Sequence, residues 1–356
     1  MGWFTYEVVR HIVLKHPEHE FIFFFDRPFD PQFIFADNVK PVVLFPSARH
    51  PFLWFWWFEW SVARALKKYQ PDVFLSTDNF LTLRTNVPTV LVTHDIAHHH
   101  FPEQIGFLVR KYYQHFIPKF NRKATRIVAV SEFTKKDIVD TYNIVPEKIA
   151  VACNGCRERF KPLSDTEKEK IKTKFADGED YFFYVGAIHP RKNVVRLIAA
   201  FDEFKKATKS SMKLLLAGRM AWQTGEVSEI LSQVSCKKDI VFLGYLDTAD
   251  LPKLTGAALA STYVSLFEGF GIPILEAMYC DVPVLTSTIS SMPEVAGEAA
   301  VLVNPNRVAE IAEGMQLLVE NADLRQELIE KGRVQRRKFT WERAAEVVYE
   351  EIVKCS

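Results

Sequence analysis

Short, almost wholly apolar runs recur along this chain, with helix-like periods between them. FIFFF (21–25), PVVLF (41–45), DVFLS (72–76), TVLVT (89–93) and RIVAV (126–130) come first. A strand that is apolar at every position has no face to give to water, so it belongs in a sheet covered on both sides. Helical patterns at 53–68, 107–122 and 132–142 supply that cover. The series breaks at a charged stretch, KPLSDTEKEKIKTKFADGED (161–180). It then restarts with YFFYVG (181–186), KLLLAG (213–218), IVFLG (240–244), ALAST (258–262), PVLTS (283–287) and AAVLV (299–303). Strands alternating with helices in this way specify a parallel α/β sheet.

The restart implies two such sheets. At 356 residues the chain is long for one core and comfortable for two. The reading is an α/β chain of two Rossmann-like, doubly wound domains facing a cleft, residues 1–160 and 161–338. Residues 339–356 carry a last helix, WERAAEVVYEEIVK (341–354), that can cross back to the first domain. Thr340 is its N-cap; Arg343 rather than Glu stands at the third position, so there is no capping box. In open sheets of this kind ligands sit beyond the carboxyl ends of the strands, so the informative residues should follow strands directly.

Charge and cysteine usage narrow the partners. With 45 basic and 44 acidic residues the net charge is +1, which gives no global pull toward nucleic acid. The five cysteines are odd in number and scattered, as free thiols of a cytoplasmic protein would be. Cys153 and Cys156 do form a C-x-x-C, but without a second pair metal or redox use is the minor reading. No run of 18 apolar residues exists, and neither a spanning helix nor a signal peptide is expected. The chain opens directly on a helix, with Phe4, Val8, Val9 and Ile12 on one face. The strand that normally precedes such a helix is absent.

The stretch SLFEGFGIPILEAM (265–278) keeps two carboxylates, Glu268 and Glu276, in a largely apolar setting. Unpartnered burial of a carboxylate is costly, so a greasy segment that retains two calls for a reason. EGFG reads as a turn, and Pro273 suits a first helical turn, where its missing N–H costs nothing. Glu268 then ends a strand and Glu276 lies in the helix that follows. Gly269 and Gly271 allow close backbone approach, and a helix start offers free N–H groups to an anion. A ligand with hydroxyl pairs and a diphosphate matches this set, since carboxylates accept from diols and amides donate to phosphate. The spacing is not a dinucleotide fingerprint, because G-x-G-x-x-G would require glycine where Ile274 stands. Taken alone, the pair reads equally well as a loop charge and a solvated helix charge. YVGAIHPRKN shifts the balance: Gly186 ends a strand, and Arg191 and Lys192 stand just before a helix. Two adjacent cations there oppose the helix dipole unless an anion is present, and phosphate is the anion that Arg and Lys bind. SSMPEVAGEAA (290–300) adds hydroxyls near another strand end.

FEGFGIPILEAM, VGAIHPRKN, LAGRMAW, FLGYL and SSMPEVAGEAAVLVNP occur in this chain as the nucleotide-sugar-binding half of a retaining GT-B glycosyltransferase of family 4 presents similar motifs. VTHD (92–95), VSEFTKKDI (130–138) and NG (154–155) extend the resemblance into the first domain. It implies that Glu268 touches the donor sugar's hydroxyls and Glu276 holds the ribose diol. Arg191 and Lys192 would hold the diphosphate and stabilise charge on the departing nucleotide. Gly186, Gly269, Phe270, Gly271 and Ile272 would line the donor, with the amides of Phe270 and Gly271 donating. His94 would stand near the reacting carbon or the acceptor. The resemblance further implies no divalent ion and no cofactor, and no Asp-x-Asp stands near these motifs. Ala187 occupies a position where many relatives carry arginine; Arg191 can take that duty, as in the branch that reads PRKN. That branch contains many mannosyltransferases and tilts the donor toward GDP-mannose. Relatives begin with a strand and a Gly-rich loop, so this chain, starting at GW, is expected to lack both.

Two further segments remain open. DIAHHH (95–100) places His98, His99 and His100 after His94, but without regular ligand spacing metal binding is the minor reading. PFLWFWWFEW (51–60) holds Trp54, Trp56, Trp57 and Trp60. It is read as packing, with Trp54, Trp57 and Phe58 on one face and Phe55 and Trp56 elsewhere. The alternative is a peripheral contact with a membrane or a lipid-linked acceptor, which RALKK downstream would support. The expectation is therefore a metal-independent transferase of a nucleotide-activated sugar, GDP- or UDP-linked. The acceptor is a glycan or lipid-linked molecule of cell-surface polysaccharide synthesis, and the enzyme is cytoplasmic or at the inner face of the membrane. The alternative is a non-catalytic sugar-nucleotide-binding subunit of a polysaccharide-assembly complex.

Overall fold

The structure, a computed structural model, describes every residue except 1, 49, 220–223, 248 and 356, and every side chain besides except those of residues 51 and 224. Residues 220–222 of the LAGRMAW motif thus lie outside the described residues. The described strands are β1 (Phe21–Phe25), β2 (Val39–Val43), β3 (Phe74–Ser76), β4 (Thr89–Thr93), β5 (Arg126–Ala129) and β6 (Ile149–Val151). There follow β7 (Tyr181–Val185), β8 (Lys213–Ala217), β9 (Ile240–Gly244), β10 (Ala260–Tyr263), β11 (Val284–Ser287) and β12 (Ala300–Val303). The chain forms two compact units, Met1–Gly155 with Thr340–Ser356, and Cys156–Phe339.

In the second unit six strands make one parallel sheet in the order β12-β11-β10-β7-β8-β9. The chain runs outward from β7 through β8 to β9, then returns to the other side of β7 with β10 and continues to β12. The switch point lies between β7 and β10, where the exit loops of two adjacent strands diverge and leave room for a ligand. Phe182, Phe183, Leu214 and Leu215 are fully buried in the middle of the sheet. Each such side chain contributes roughly 1.5–3 kcal/mol relative to exposure. Helix Val194–Thr208 covers the sheet with Leu197, Ile198, Phe201 and Phe204. Gly218 ends β8 because nothing larger fits: a Cβ there would stand 1.7 Å from the carbonyl oxygen of Gly186.

The first unit departs from the single sheet expected. Among the described residues β1 and β2 pair only with each other, Phe21 opposite Val39, and β3-β4-β5-β6 form a separate parallel sheet. The strand expected at 41–45 lies at Val39–Val43 because that register on β1 sets it. Every residue of TVLVT in β4 is buried, whereas none of FIFFF in β1 is fully so. β4 has a strand on each side; β1 has one neighbour among the described residues, and its rings stay half-exposed. Helix Gly2–Lys15 buries Phe4, Val8, Ile12 and Val13; Val9 is only half-buried. Helix Trp341–Val353, capped by Thr340 as expected, packs in this unit, where His16 stacks on Tyr349 with ring centroids 3.5 Å apart. The single helix expected at 53–68 is an α-helix over Pro51–Trp56, a π-helix over Trp57–Val62 and an α-helix over Ala63–Tyr69. Trp54 and Phe58 meet Phe80 as one face, Phe55 meets Phe116, and the Trp57 Nε1–H donates to Leu44 O at 3.4 Å. Trp56 and Phe52 remain exposed.

Candidate active site

The second unit brings Arg191, Lys192, Glu268 and Glu276 together with Arg157, Tyr263, Ser290 and Ser291 around the carboxyl ends of β7 and β10. After β7 the chain turns at Gly186, and His189 accepts from the Arg191 amide to close the short helical turn Pro190–Lys192. Asn193 takes a left-handed conformation, φ 61°, and its side-chain amide donates to the carbonyls of Val264 and Pro305. The loop after β10 is tied to the same turn by Leu266 N–H donating to Arg191 O at 2.9 Å. Arg191 and Lys192 are thereby fixed against the segment that carries Glu268.

Glu268 is 7% exposed and lies within the loop after β10, five residues beyond Tyr263 rather than at the strand end expected, because β10 stops at Tyr263. Lys192 Nζ donates to its Oε1, and Arg191 Nη1 donates to its Oε2 at 3.4 Å and to Phe267 O at 2.6 Å. The Tyr263 hydroxyl lies 2.9 Å from both Lys192 Nζ and Glu268 Oε1, accepting from the first and donating to the second. Burial alone would push the Glu268 carboxyl up; the charges of Lys192 and Arg191 outweigh it and hold the group below its ordinary value. Burial and the nearby Glu268 charge push the Tyr263 phenol well up, so it remains a donor. Ser290 and Ser291 brace the loop: both hydroxyls donate to Glu268 O, and that of Ser291 also to Phe270 O.

Gly271 has φ 102°, a left-handed backbone that favours glycine, and it starts helix Ile272–Tyr279 with Pro273 in the first turn, as expected. Gly269 and Phe270 are buried, and Ile272 is half-buried at the helix start. Glu276 sits one turn in, 4% exposed, and accepts from Arg157 Nη2 at 2.7 Å. Burial pushes its carboxyl up to about 7, against the opposing charge of Arg157. Arg157 and Tyr263 escape a reading of the sequence, whereas the hydroxyls of Ser290 and Ser291 are the ones that SSMPEVAGEAA places near a strand end. Arg157 lies 119 positions from Glu276 in the chain, and Tyr263 is the last residue of β10, just past the run ALAST.

His94 belongs to the first unit, directly after β4. Its amide donates to Asn79 Oδ1 at 2.7 Å and its Nε2–H to Thr77 O at 2.8 Å. Burial holds the imidazole down at about 4, so the ring is neutral near pH 7. His98 is likewise buried and lowered to about 4, against the Tyr142 hydroxyl, and His100 pairs with Asp137. The group of metal-type side chains among the described residues is none of these but His16, Glu18 and His19 in the first unit.

A parallel six-stranded sheet thus carries two cations, two acids and a glycine turn at its switch point, and comparison with known proteins gives the family. Residues 165–335 match the model for glycosyl transferases group 1, and residues 1–158 match that for glycosyltransferase family 4. The chain is 30% identical over 281 residues to an O-antigen chain mannosyltransferase B of Escherichia coli, covering 79% of this chain and 74% of that protein. It is also 30% identical over 262 residues to the O-antigen chain mannosyltransferase RfbU of Salmonella typhimurium, covering 73% and 69%. Among solved structures, WaaG, a glycosyltransferase involved in lipopolysaccharide biosynthesis, aligns with TM-score 0.76 at 16% identity, covering 98% of this chain and 95% of its own. Anabaena Alr3699/HepE in complex with UDP-glucose aligns with TM-score 0.74 at 16% identity, covering 98% and 96%. The chain belongs to glycosyltransferase family 4, and its fold is the GT-B fold of two Rossmann-like domains.

Proposed function

We propose that this glycosyltransferase moves a hexose, mannose from GDP-mannose in the favoured reading, to a glycan or lipid-linked acceptor in cell-surface polysaccharide synthesis, with retention and without a metal. The observation that carries the donor half is the Glu268–Lys192–Arg191–Tyr263 cluster at the β7/β10 switch point, one helical start away from Glu276. Transfer breaks the bond from the sugar's anomeric carbon to the diphosphate and leaves negative charge on the phosphate oxygens. Fixed cations in a buried site stabilise that charge without reorganising at the moment of reaction. In the free protein Arg191 and Lys192 are held by Glu268; a bound diphosphate takes over part of their charge, and Glu268 turns to the sugar hydroxyls. Glu276 accepts from the ribose diol. The amides of Phe270 and Gly271 donate to the sugar or phosphate, and Gly186, Gly269 and Ile272 line the donor. His94 is assigned to the reacting carbon or the acceptor, as a neutral ring.

The mannose reading draws on the O-antigen mannosyltransferases named above. A role as a non-catalytic subunit has no support among these relatives. No helix of the described residues is long and apolar enough to cross a membrane. A peripheral contact at the cytoplasmic face would use Phe52 and Trp56, both exposed, with the Arg64 guanidinium close by over the ring of Trp60. The test is transfer from a panel of GDP- and UDP-sugars to lipid-linked acceptor in the presence of a chelator. GDP-mannose is expected to serve as donor with undiminished rate; a metal requirement, or transfer from a UDP-sugar alone, would overturn that part of the reading.

A further inference from the structure

Arg157 is a half-buried cation to which the proposed chemistry assigns nothing. It stands in NGCRERF at the start of the second unit, with its guanidinium over the ring of Phe160 at 4.9 Å and its Nη2 on Glu276 at 2.7 Å. The two side chains are 12% and 6% exposed. A carboxylate this deep is costly unless paired, and the guanidinium pairs it. The same contact occupies an oxygen that a diol would need.

We propose that Arg157 is a positioning residue for the donor: it keeps Glu276 a hydrogen-bond acceptor in the free protein and yields an oxygen to the ribose diol when nucleotide binds. The inference rests on Glu276 being the ribose ligand. Other groups around helix Ile272–Tyr279 do not replace Arg157. The Cys156 and Cys280 thiols are pushed up by burial and carry no charge near neutral pH. From the C-terminal side of the helix, Arg333 and Arg336 are bound to Asp281, and Arg336 also to Met278 O. Tyr263, from β10, is engaged with Lys192 and Glu268. From helix Asp250–Gly256, Asp250 lies 3.9 Å from Lys174. Arg157 is the cation whose charge acts on Glu276.

A diol donates best to an ionised carboxylate. Nucleotide affinity in the wild type should therefore rise as pH climbs through about 7, the value to which burial carries Glu276. Without the guanidinium the carboxyl would go higher still, and the rise would come later. The experiment is calorimetric titration of the full chain with GDP and UDP from about pH 6 to about pH 9 for wild type, Arg157→Met, Arg157→Lys and Glu276→Gln, with 2′,3′-dideoxy-GDP as control ligand. Arg157→Met should bind about tenfold more weakly near neutral pH and recover at alkaline pH, its midpoint displaced upward by about one unit. Arg157→Lys, which keeps the charge, should stay close to wild type. In Glu276→Gln, and in wild type with the dideoxy ligand, the pH step should vanish. A wild-type profile from Arg157→Met, or a loss by one factor at every pH, overturns the inference. Should Arg157→Met not fold, a loss in Arg157→Lys that does not change with pH overturns it instead. If Glu276→Gln binds GDP and UDP as wild type does, the ribose reading itself has failed; if only the arginine variants behave normally, this inference alone has.

Discussion

Glu268 and Glu276 belong to one segment, are both buried, and stand in opposite electrostatic settings. Glu268 meets two cations and a phenol, and its carboxyl lies below the ordinary range. Glu276 meets one guanidinium, and burial carries its carboxyl up to about 7. The first end is a charge cluster built from two strand-exit loops, and a ligand enters it by replacing charge with charge, which suits a diphosphate. The second is a buried acceptor poised near neutrality, which suits hydroxyls. A glycine turn and a helix start set these two chemistries side by side, and a sugar nucleotide needs both.

Substitutions that separate the ends test this contrast. Lys192→Ala should have the largest effect, a loss of about 10²–10³-fold in kcat, because it removes stabilisation of charge that develops only in the transition state. Glu276→Gln should mainly raise the donor KM, by about tenfold or more, since a charged hydrogen bond is worth about 1.5–3 kcal/mol. Equal kcat losses in the two variants would erase the distinction between the ends. Tyr263→Phe removes a hydroxyl shared by Lys192 and Glu268 and should cost about tenfold in kcat, less than the cation itself. Gly271→Ala is the mildest: a Cβ at φ 102° and 3.1 Å from Ile274 Cδ1 should lower stability by roughly 1–2 kcal/mol, read by denaturant unfolding.

The donor-side half of this account is largely legible in the sequence, because its residues lie in short motifs directly after strands. β4, β9 and helix Glu132–Tyr142 fall where apolar runs and helical spacing place them. What escapes is long-range. Arg157 and Glu276 are 119 positions apart, and no local pattern announces their contact. Tyr263 lies just past the run ALAST, and nothing local marks it before the fold brings Lys192 to its hydroxyl. β6 is only Ile149–Val151, too short to register as a run. The π-turn at Trp57–Val62 and the separation of β1-β2 from β3-β6 depend on packing and pairing, to which residue periodicity is blind.

The central claim is that one nucleotide diphosphate spans both ends of the site. Calorimetry of Lys192→Ala and Glu276→Gln against GDP, GMP and 2′,3′-dideoxy-GDP tests it most directly. Both variants should bind GDP more weakly than wild type; the lysine effect should fade with GMP and the glutamate effect with the dideoxy ligand. Unchanged GDP affinity in both variants, with UDP tested alongside, would contradict the account.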